Sequence, residues 1–330
     1  MQDRYGRIIE YMRVSVTDRC NLRCVYCMPR EGVPGVAHSD ILTFDEIERV
    51  CRIGTTLGIT RIKLTGGEPL VRRNLPDLAG RLTAVPGIDQ VTLTTNGTLL
   101  KDNINALVSG GMKYINISID TLDKERYREI TRGGSLEDAL DGLRAALSFP
   151  ELTVKINCVP LEGQRAEEWI RLASIARGSR VEVRFIEMMP VGLGRQFSGQ
   201  TQEKVLSVLR EKFGEPERYQ GRLGNGPAVY VHFPGFCGRI GFISAVSHRF
   251  CGSCNRIRLT STGCLKPCLQ YGGGADLRGL MRQGAGDDEI REAMYKAIYN
   301  KPAGHHFEEQ NIREDEEGKF EMKEMSRIGG

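Results

Sequence analysis

The sequence predicts an α/β protein: a partial (βα)6 TIM-like barrel, followed by a C-terminal mixed region that covers the open side of the barrel. About six strand-like segments alternate with helix-like segments before residue 190, the connections are short, and polar residues follow the strands. Such alternation gives parallel sheets with right-handed crossovers. Because a closed barrel of this type needs eight units, six units predict an open sheet.

The first predicted strand shows an alternation of apolar and polar positions at Met12, Val14 and Val16. The first helix begins at Thr43, which can cap it together with Glu46, and Gly58 follows its end. Further strands are predicted at 59–64, 91–94, 114–119, 152–159 and 181–186, and further helices at 75–85, 99–108, 124–130, 136–147 and 166–176.

The composition changes after Gly192, where glycine becomes frequent and the regular alternation ends. We therefore expect two domains, a barrel at 1–195 and a C-terminal region at 196–330. Within the second, helices are predicted at 202–212, 276–282 and 288–299, and strands at 228–233 and 239–244. The charged segment from His305 onward has the composition of a frayed tail.

The amino-acid composition and the net charge exclude several classes of protein. A hydrophobic content of 40% and a charged content of 27% over 330 residues are ordinary for a soluble globular protein. A net charge of +4 gives no support to nucleic-acid binding. The N-terminus lacks a signal-like apolar segment, and no apolar run approaches a membrane span. We expect a cytoplasmic protein with no membrane and no nucleic-acid partner.

Ten cysteines are many for this chain, and in a reducing compartment they are expected to be thiols or metal ligands. We expect Cys51 and Cys158 to be core residues. Cys20, Cys24 and Cys27 have C-x3-C-x2-C spacing directly after the first strand. Three thiolates suit a 4Fe–4S cubane that keeps one iron open, whereas buried thiols or a partial zinc knuckle are the alternatives.

A second group has the spacing C-x2-C-x13-C at Cys251, Cys254 and Cys268. A zinc ribbon is the alternative to a second cluster here, because Cys264 could complete a site with four thiolates.

Polar residues follow all six predicted strands, and the carboxyl ends of parallel strands form the active sites of such folds. The loops lie at 20–27, 66–69, 94–97, 118–120, 155–157 and 187–190. Gly66 and Gly67 form a backbone strip without side chains, which can bind a small polar ligand; an ordinary turn is the alternative.

The cysteine loop with Tyr26 before its last cysteine, together with Gly66-Gly67-Glu68-Pro69, resembles the radical S-adenosylmethionine (SAM) superfamily. The resemblance implies that Cys20, Cys24 and Cys27 hold a 4Fe–4S cluster whose open iron binds SAM, and that reductive cleavage of SAM yields a 5′-deoxyadenosyl radical. This chemistry needs a dry, enclosed cavity.

Residues 241–260 (GFISAVSHRFCGSCNRIRLT) and the terminal Gly329-Gly330 make the whole chain similar to the GTP 3′,8-cyclase family, which starts molybdenum-cofactor biosynthesis. This resemblance implies that Cys251, Cys254 and Cys268 hold a second 4Fe–4S cluster whose open iron faces the guanine. The expected cofactor-binding residues are Tyr26, Gly66, Gly67, Glu68, Ser118 and Met189. The expected substrate-binding residues are Arg13, Lys63, Thr94, Lys155, Arg184, Arg256, Ile257 and Arg258. The expected catalytic residues are Arg13, Gly329 and Gly330, since the glycine pair in this family is thought to reach the active site.

The residues themselves support a triphosphate site, since a polyanion needs converging cations. Lys63 and Lys155 lie between apolar strand neighbours, which favours an inward direction. Arg61 shares the face of Lys63 and is a weaker candidate. The alternative for each is a solvated surface charge. We expect the four histidines His232, His248, His305 and His306 to be structural.

The implied reaction is abstraction of hydrogen from ribose C3′ of GTP, addition to guanine C8 and reduction to the cyclised dihydro nucleotide, so the enzyme would be a lyase. The implied partners are GTP, an electron donor of the flavodoxin or ferredoxin type and a downstream cyclic pyranopterin monophosphate synthase; a homodimer is left open. One rival is a radical SAM peptide-modifying maturase with an auxiliary cluster. Another is a non-catalytic iron–sulfur or zinc protein acting as a sensor or scaffold.

Overall fold

The computed structural model describes residues 1–221, 223–307 and 320–329. The strands of this part of the chain are β1 (Tyr11–Ser15), β2 (Arg61–Thr65), β3 (Gln90–Thr95), β4 (Tyr114–Ser118), β5 (Thr153–Cys158), β6 (Glu182–Ile186), β7 (Glu217–Arg218), β8 (Val229–His232), β9 (Ile240–Ile243), β10 (Arg256–Leu259), β11 (Cys264–Lys266) and β12 (Ala275–Asp276). The helices are α1 (Phe44–Thr56), α2 (Leu75–Thr83), α3 (Leu100–Ser109), α4 (Lys124–Thr131), α5 (Leu136–Leu147), α6 (Ala166–Gly178), α7 (Gln202–Phe213), α8 (Leu277–Arg282), α9 (Asp287–Tyr299) and α10 (Met325–Ile328).

The strands form one open sheet in the order β12-β11-β10-β1-β2-β3-β4-β5-β6-β9-β8-β7. The six strands β1 to β6 are parallel neighbours in chain order, which confirms the predicted partial barrel. Their apolar side chains are buried against the helices that connect them; Val14, Leu64 and Leu93 are fully buried. One face of the sheet is therefore packed against the helices. The other face lines the interior of the partial barrel, which we call the lumen.

Local signals in the sequence place the first helix correctly. Thr43 and Glu46 form the predicted capping box, with the Thr43 Oγ1 accepting from the Glu46 amide at 3.1 Å and the Glu46 carboxylate accepting from the Thr43 amide at 2.7 Å. Gly58 adopts a φ of 82° just after the helix end, a conformation that glycine reaches without a steric penalty.

The C-terminal part of the chain extends both edges of the barrel sheet. β10 pairs in parallel with β1, and β9 pairs in parallel with β6, so eight parallel strands stand side by side. The sequence did not predict β10 as a strand, because four residues directly after a cysteine pair carry little periodic signal. As a consequence Arg256, Ile257 and Arg258 belong to the same sheet as Arg13 and Lys63.

The expectation of a frayed C-terminal tail is wrong for residues 320–329. Ile328 and Ser326 in α10 are buried, and the carboxylate of Glu321 forms a buried ion pair with Lys266. Composition failed here because the charges of this segment find partners in the fold instead of water.

Several smaller expectations are confirmed. Cys51 and Cys158 are fully buried in the core, and all ten cysteines are free thiols. His232 and His305 bind backbone carbonyls through their Nε2 atoms, at 2.9 Å and 2.6 Å. None of the helices in the described part of the chain has the length and apolar character needed to cross a lipid bilayer.

Candidate active site

The loops at the carboxyl ends of the barrel strands are joined by direct contacts. The glycine strip lies against the chain that leads into the first cysteine loop: the Gly67 amide donates to the Thr17 carbonyl at 2.8 Å, and the Glu68 amide donates to the Arg19 carbonyl at 2.8 Å. A Cβ atom at Gly66 would lie 2.6 Å from the Thr17 oxygen, and one at Gly67 would lie 2.3 Å from the Arg19 oxygen. Both glycines are therefore required for this close approach.

Glu68 joins the second loop to the third. Its buried carboxylate accepts hydrogen bonds from the Leu70 amide (3.0 Å), the Thr95 hydroxyl (2.7 Å) and the Asn96 amide (2.7 Å). Burial raises the pKa of Glu68 to about 7 despite these bonds. The carboxylate, predicted to bind cofactor, is thus engaged in holding the backbone around Gly66 and Gly67.

Tyr26 joins the cysteine loop to the fourth strand end. Its hydroxyl donates to Asp120 Oδ2 at 2.7 Å, and Asp120 Oδ1 accepts from the Val159 amide at 2.8 Å, beyond the fifth strand. Burial raises the pKa of Asp120 to about 6. Four of the six predicted loops, 20–27, 66–69, 94–97 and 118–120, are linked in this way around the carboxyl end of the barrel. Residues 155–157, predicted as a loop, lie within β5, and Glu187 in the sixth predicted loop accepts from the amides of Val246 and Ser247.

The first triplet, Cys20, Cys24 and Cys27, has a donor set that fits an iron–sulfur cluster. Its thiols lie within electrostatic reach of one another, and backbone and amide groups point at the sulfur of Cys20: the Leu22 amide at 3.4 Å and the Asn96 Nδ2 at 4.0 Å. Amide donors to sulfur are a general feature of cluster sites. Burial raises the pKa of Cys20 to about 11 and that of Cys27 to about 12.

The second triplet, Cys251, Cys254 and Cys268, lies at the opposite end of the lumen. Cys251 and Cys254 precede β10, which runs parallel to β1, whereas the first triplet follows β1. Cys268 follows β11, which runs antiparallel to β10 and so returns to the same end as Cys254. The two triplets therefore bracket the barrel lumen along the strand direction.

The second triplet also fits an iron–sulfur cluster. Its surroundings are positively charged, whereas carboxylates lie near the first triplet. Burial opposes ionisation of Cys254, but the charges of Arg256 and Lys301 and hydrogen bonds from Arg256 lower its pKa to about 6. A thiolate is the form that binds metal, so these cations favour ligation.

Cys264 is set apart from this triplet, because it begins β11 and pairs with Asp276 at the far end of the strand. Cys268 follows it by four positions, a distance of about 13 Å in an extended chain. Among the described residues, no three His, Cys, Asp or Glu side chains form a group that could hold a single metal ion.

Cations from five strands face the lumen between the two triplets. In the sheet register Arg258 is level with Arg13, and Arg13 is level with Lys63. Burial, and then the charges of Arg13, Arg184, Arg256 and Lys155, lower the pKa of Lys63 well below its usual value. An anionic ligand at this position would offset the mutual repulsion. In the described part of the chain, no carboxylate is paired with Lys63, whose ammonium lies 5.7 Å from the ring centre of Tyr11.

A cavity of about 200 Å³ opens beside these cations at the amino ends of the strands. Its polar lining includes Lys63, Lys155 and Arg184. Lys155 donates to the Leu223 carbonyl at 2.8 Å and lies 3.1 Å from the Glu182 carboxylate. Residues near Leu223 thus cover the side of the cavity next to Lys155.

Arg184 is held in a fixed direction by two asparagines: Asn157, predicted only as the end of a loop, and Asn116, which the sequence reasoning missed. Its guanidinium donates to Asn157 Oδ1 at 2.6 Å and to Asn116 Oδ1 at 2.7 Å. Asn157 lies two residues after Lys155 and so shares its face, which is the signal that could have identified it. The same is true of Glu182, two residues before Arg184.

The described end of the tail reaches the lumen. The carbonyl of Gly329 accepts a hydrogen bond from Arg258, and a Cβ atom at Gly329 would lie 3.2 Å from Ser15 and 3.3 Å from Thr65. A side chain at this position would therefore crowd the ends of β1 and β2. Gly330 lies outside the described residues.

The tail also contacts the first triplet. The backbone of Ser326, in α10, forms a hydrogen bond with the thiol of Cys27. Ser326 is buried, so this contact is shielded from water. The described tail thus adds one more backbone donor to the sulfur atoms of the first cysteine loop.

The remaining predicted residues lie on β3, β4 and β10 and in the loop after β6. Ser118 ends β4 and is level with Asn157, and Thr94 accepts from Asn116 Nδ2 at 3.3 Å. Ile257 is buried in the hydrophobic core, level with Met12 and on the opposite face of β10 from Arg256 and Arg258, so its side chain points away from the lumen. Met189 lies in the loop after β6, where its carbonyl accepts from the Val191 amide at 2.8 Å. The structure thus brings most of the candidate site to one lumen, whereas the side chain of Ile257 belongs to the core.

Comparison with known families agrees with this geometry. Residues 14–176 match the radical SAM superfamily, and residues 181–307 match the family described as Molybdenum Cofactor Synthesis C. The chain is 43% identical to a GTP 3′,8-cyclase of Pelotomaculum thermopropionicum, covering 100% of both chains. It is 43% identical to a GTP 3′,8-cyclase of Clostridium perfringens, covering 98% of this chain and 99% of the relative.

Solved structures show the same fold at low identity. SuiB from Streptococcus suis bound to the precursor peptide SuiA superposes with a TM-score of 0.60 at 17% identity, covering 90% of this chain and 66% of SuiB. Methylornithine synthase (PylB) superposes with a TM-score of 0.50 at 20% identity, covering 63% of each chain. These likenesses concern the fold alone.

Proposed function

The chain belongs to the GTP 3′,8-cyclase family of radical SAM enzymes, and we propose that it converts GTP to (8S)-3′,8-cyclo-7,8-dihydroguanosine 5′-triphosphate within the lumen between its two cysteine triplets. This is the first step of molybdenum-cofactor biosynthesis, and its class is that of a lyase. The observation that carries the assignment of residues is the placement of two triplets at opposite ends of one cation-lined lumen.

We assign the first 4Fe–4S cluster to Cys20, Cys24 and Cys27 and the second to Cys251, Cys254 and Cys268. When bound, the first cluster and SAM would supply radical chemistry at the ribose, and the second cluster would supply a metal site for the guanine. The protein supplies the walls of the site. Tyr26 and Asp120, with the strip at Gly66 and Gly67, shape the SAM end of the lumen.

The lumen cations bind and orient the triphosphate. Lys63, Lys155 and Arg184 line the cavity, and Asn116 and Asn157 fix the guanidinium of Arg184, so that it presents a preorganised donor to a phosphate oxygen. Arg13, Arg256 and Arg258 lie on the neighbouring strands β1 and β10. They extend this positively charged surface to the strand that follows Cys251 and Cys254. The cost of gathering these like charges is recovered when an anion binds.

Gly329 and Gly330 form the end of the tail that we assign to the active site. The contact of the Gly329 carbonyl with Arg258 supports this role, since it brings a segment without side chains to a substrate-binding arginine. Thr94, Ser118 and Met189 complete the walls.

Further partners follow from the chemistry. Reduction of a cluster needs an electron donor, of the flavodoxin or ferredoxin type, and the cyclised nucleotide needs a consuming enzyme, a cyclic pyranopterin monophosphate synthase. The ten free thiols support a reducing compartment, that is, the cytoplasm. A homodimer stays a prediction.

The test is anaerobic reconstitution followed by incubation with SAM, GTP and dithionite. We expect formation of 5′-deoxyadenosine that depends on GTP, together with the cyclised nucleotide. SAM cleavage that is indifferent to GTP would contradict the proposal and favour a peptide-modifying enzyme. In the variant Lys63→Gln we expect the KM for GTP to rise by roughly 10-fold, as for loss of one charged hydrogen bond. The matched control Lys113→Gln changes an exposed lysine just before β4 and should leave the KM unchanged.

A further inference from the structure

Two buried cations bind the backbone around the second triplet. Arg7, in the N-terminal segment, is 7% exposed, and Lys301, just after α9, is 2% exposed. Lysine and arginine are seldom buried to this degree unless a specific partner compensates the charge. Neither residue belongs to the set that faces the substrate cavity.

Lys301 joins two segments that carry cysteines. Its Nζ donates to the Arg256 carbonyl at 2.8 Å and also to the Pro267 carbonyl. Arg256 is two residues beyond Cys254, and Pro267 directly precedes Cys268. One ammonium group therefore fixes the separation of the two backbone segments from which Cys254 and Cys268 project.

Arg7 joins the remaining cysteine to the chain around Lys301. Its Nη1 donates to the Cys251 carbonyl at 3.0 Å and to the Ala303 carbonyl at 2.9 Å, and its Nη2 donates to the Pro302 carbonyl at 2.6 Å. Asp3 holds the guanidinium at Nε, 2.6 Å away. The two cations thus connect all three cysteine segments to one short stretch of chain.

Lys301 has no carboxylate as an ion-pair partner in the described part of the chain, and the second triplet is where a counter-charge would lie. Thiolates at Cys254 and Cys268 would attract its charge, against the like charges of Arg7 and Arg256. A buried ammonium without a counter-charge is costly. Thiolates bound to a cluster would supply that counter-charge.

We propose that Arg7 and Lys301 form a cationic clasp that holds the three cysteine segments in position and compensates the charge of the second cluster. The clasp rests on the proposed function, because it requires a cluster at this triplet. Its two contributions are separable: the N–H donors position the ligands, and the positive charge of Lys301 favours the reduced cluster, which carries one more electron.

The experiment isolates the second cluster by replacing Cys20, Cys24 and Cys27 with alanine in the full chain. This parent, Lys301→Met, Lys301→Gln and Arg7→Lys are reconstituted anaerobically, and iron per chain and the midpoint potential of the cluster are measured, the latter by electron paramagnetic resonance. We expect Lys301→Met to bind iron roughly 10-fold more weakly, as for other outer-shell partners of metal sites.

The other two variants separate position from charge. Lys301→Gln keeps N–H donors, so it should retain more iron than Lys301→Met while its midpoint potential becomes more negative. A tenfold loss in preference for the reduced form corresponds to about 59 mV for one electron. Arg7→Lys keeps the charge but loses the fork of donors, so we expect weaker iron binding without a comparable shift in potential.

The matched control is Lys296→Met, which removes an exposed lysine of α9 that pairs with Glu292 and should match the parent. Parental iron binding and potential in both Lys301 variants would overturn the clasp alone. So would a loss of iron that is equal at both triplets when Lys301→Met is made in the chain with all its cysteines, since that indicates general misfolding. A parent that binds no iron would overturn the assignment of the second cluster, and the clasp with it.

Discussion

The two cysteine triplets have the same number of thiols but different surroundings. The first lies among buried backbone and carboxylate groups: Asp120 is within electrostatic reach of Cys24, and Glu68 is within reach of Cys20. The second lies among Arg256, Lys301 and Arg258. The difference teaches that one ligand type can serve two purposes, because the charge around a cluster sets both its potential and what it attracts.

This contrast agrees with the division of labour in the proposed reaction. Negative and apolar surroundings disfavour an added electron, so a cluster there is a strong reductant, as cleavage of a sulfonium requires. Positive surroundings favour anions, so the second end suits a nucleotide triphosphate. The lumen cations therefore continue the positively charged surroundings of the second triplet.

The widest expected difference between the two triplets is in the ionisation of their thiols, which can be tested directly in the cluster-free chain. Rates of thiol alkylation measured against pH, with each cysteine identified by mass spectrometry, should give an apparent pKa of about 6 for Cys254 but about 11 for Cys20 and about 12 for Cys27. At a pH of about 7.5 Cys254 should react roughly 10-fold faster than Cys20, since a low pKa also weakens the nucleophile. Coincident profiles in a chain that keeps its circular dichroism would refute the contrast.

The next effect separates the functions of the two ends. Cys24→Ala should reduce formation of 5′-deoxyadenosine at least about 100-fold, because loss of a ligand exceeds the effect of an outer-shell change. Cys268→Ala should retain cleavage of SAM but lose the cyclised nucleotide to a similar extent. Both products are quantified by chromatography of the same reaction.

The control for this pair is Cys264→Ala, which removes a thiol at the far end of β11 and should retain both products. Equal loss of 5′-deoxyadenosine in Cys24→Ala and Cys268→Ala would show that the two ends do not act separately.

The sequence could predict much of the lumen but little of what surrounds the triplets. Alternation with apolar neighbours was enough to direct Lys63 and Lys155 inward, because side chains two residues apart share a face. The contacts of Arg7 with Cys251 and with Ala303 join residues far apart in the chain, and no local pattern encodes them. The use of Glu68 as a backbone acceptor likewise depends on which loops meet in the fold.

Glu68 provides a pH-dependent test of the first end. Its pKa of about 7 in the folded chain exceeds the ordinary value of 4.5, so the folded state binds more protons than the unfolded state between these pH values. The free energy of unfolding should therefore fall as pH rises from 4.5 to about 7, by on the order of 3 kcal/mol from this group, and then level off. Glu68→Gln should lack this component.

The measurement is urea denaturation of both anaerobic, reconstituted chains at several pH values. The difference between wild type and Glu68→Gln removes contributions from other groups. A difference that stays constant from a pH of about 4.5 to about 8 would show that the buried carboxylate is no more costly to ionise than in the unfolded chain.

The smallest effect concerns packing at the first end. A methyl group at Gly67 would overlap the carbonyl oxygen of Arg19, so Gly67→Ala must displace the glycine strip from the chain that leads to Cys20. Overpacking of this kind costs about 1–3 kcal/mol, measurable as a lower free energy of unfolding. Because the second end depends on charge and not on this contact, iron should be lost selectively from the first triplet. Gly35→Ala, in the loop between β1 and α1 that carries Cys20, has no atom within 4 Å of the added methyl and should match wild type. Equal iron loss at both triplets would show that the two ends share one packing unit, and the contrast between them would then lie in charge alone.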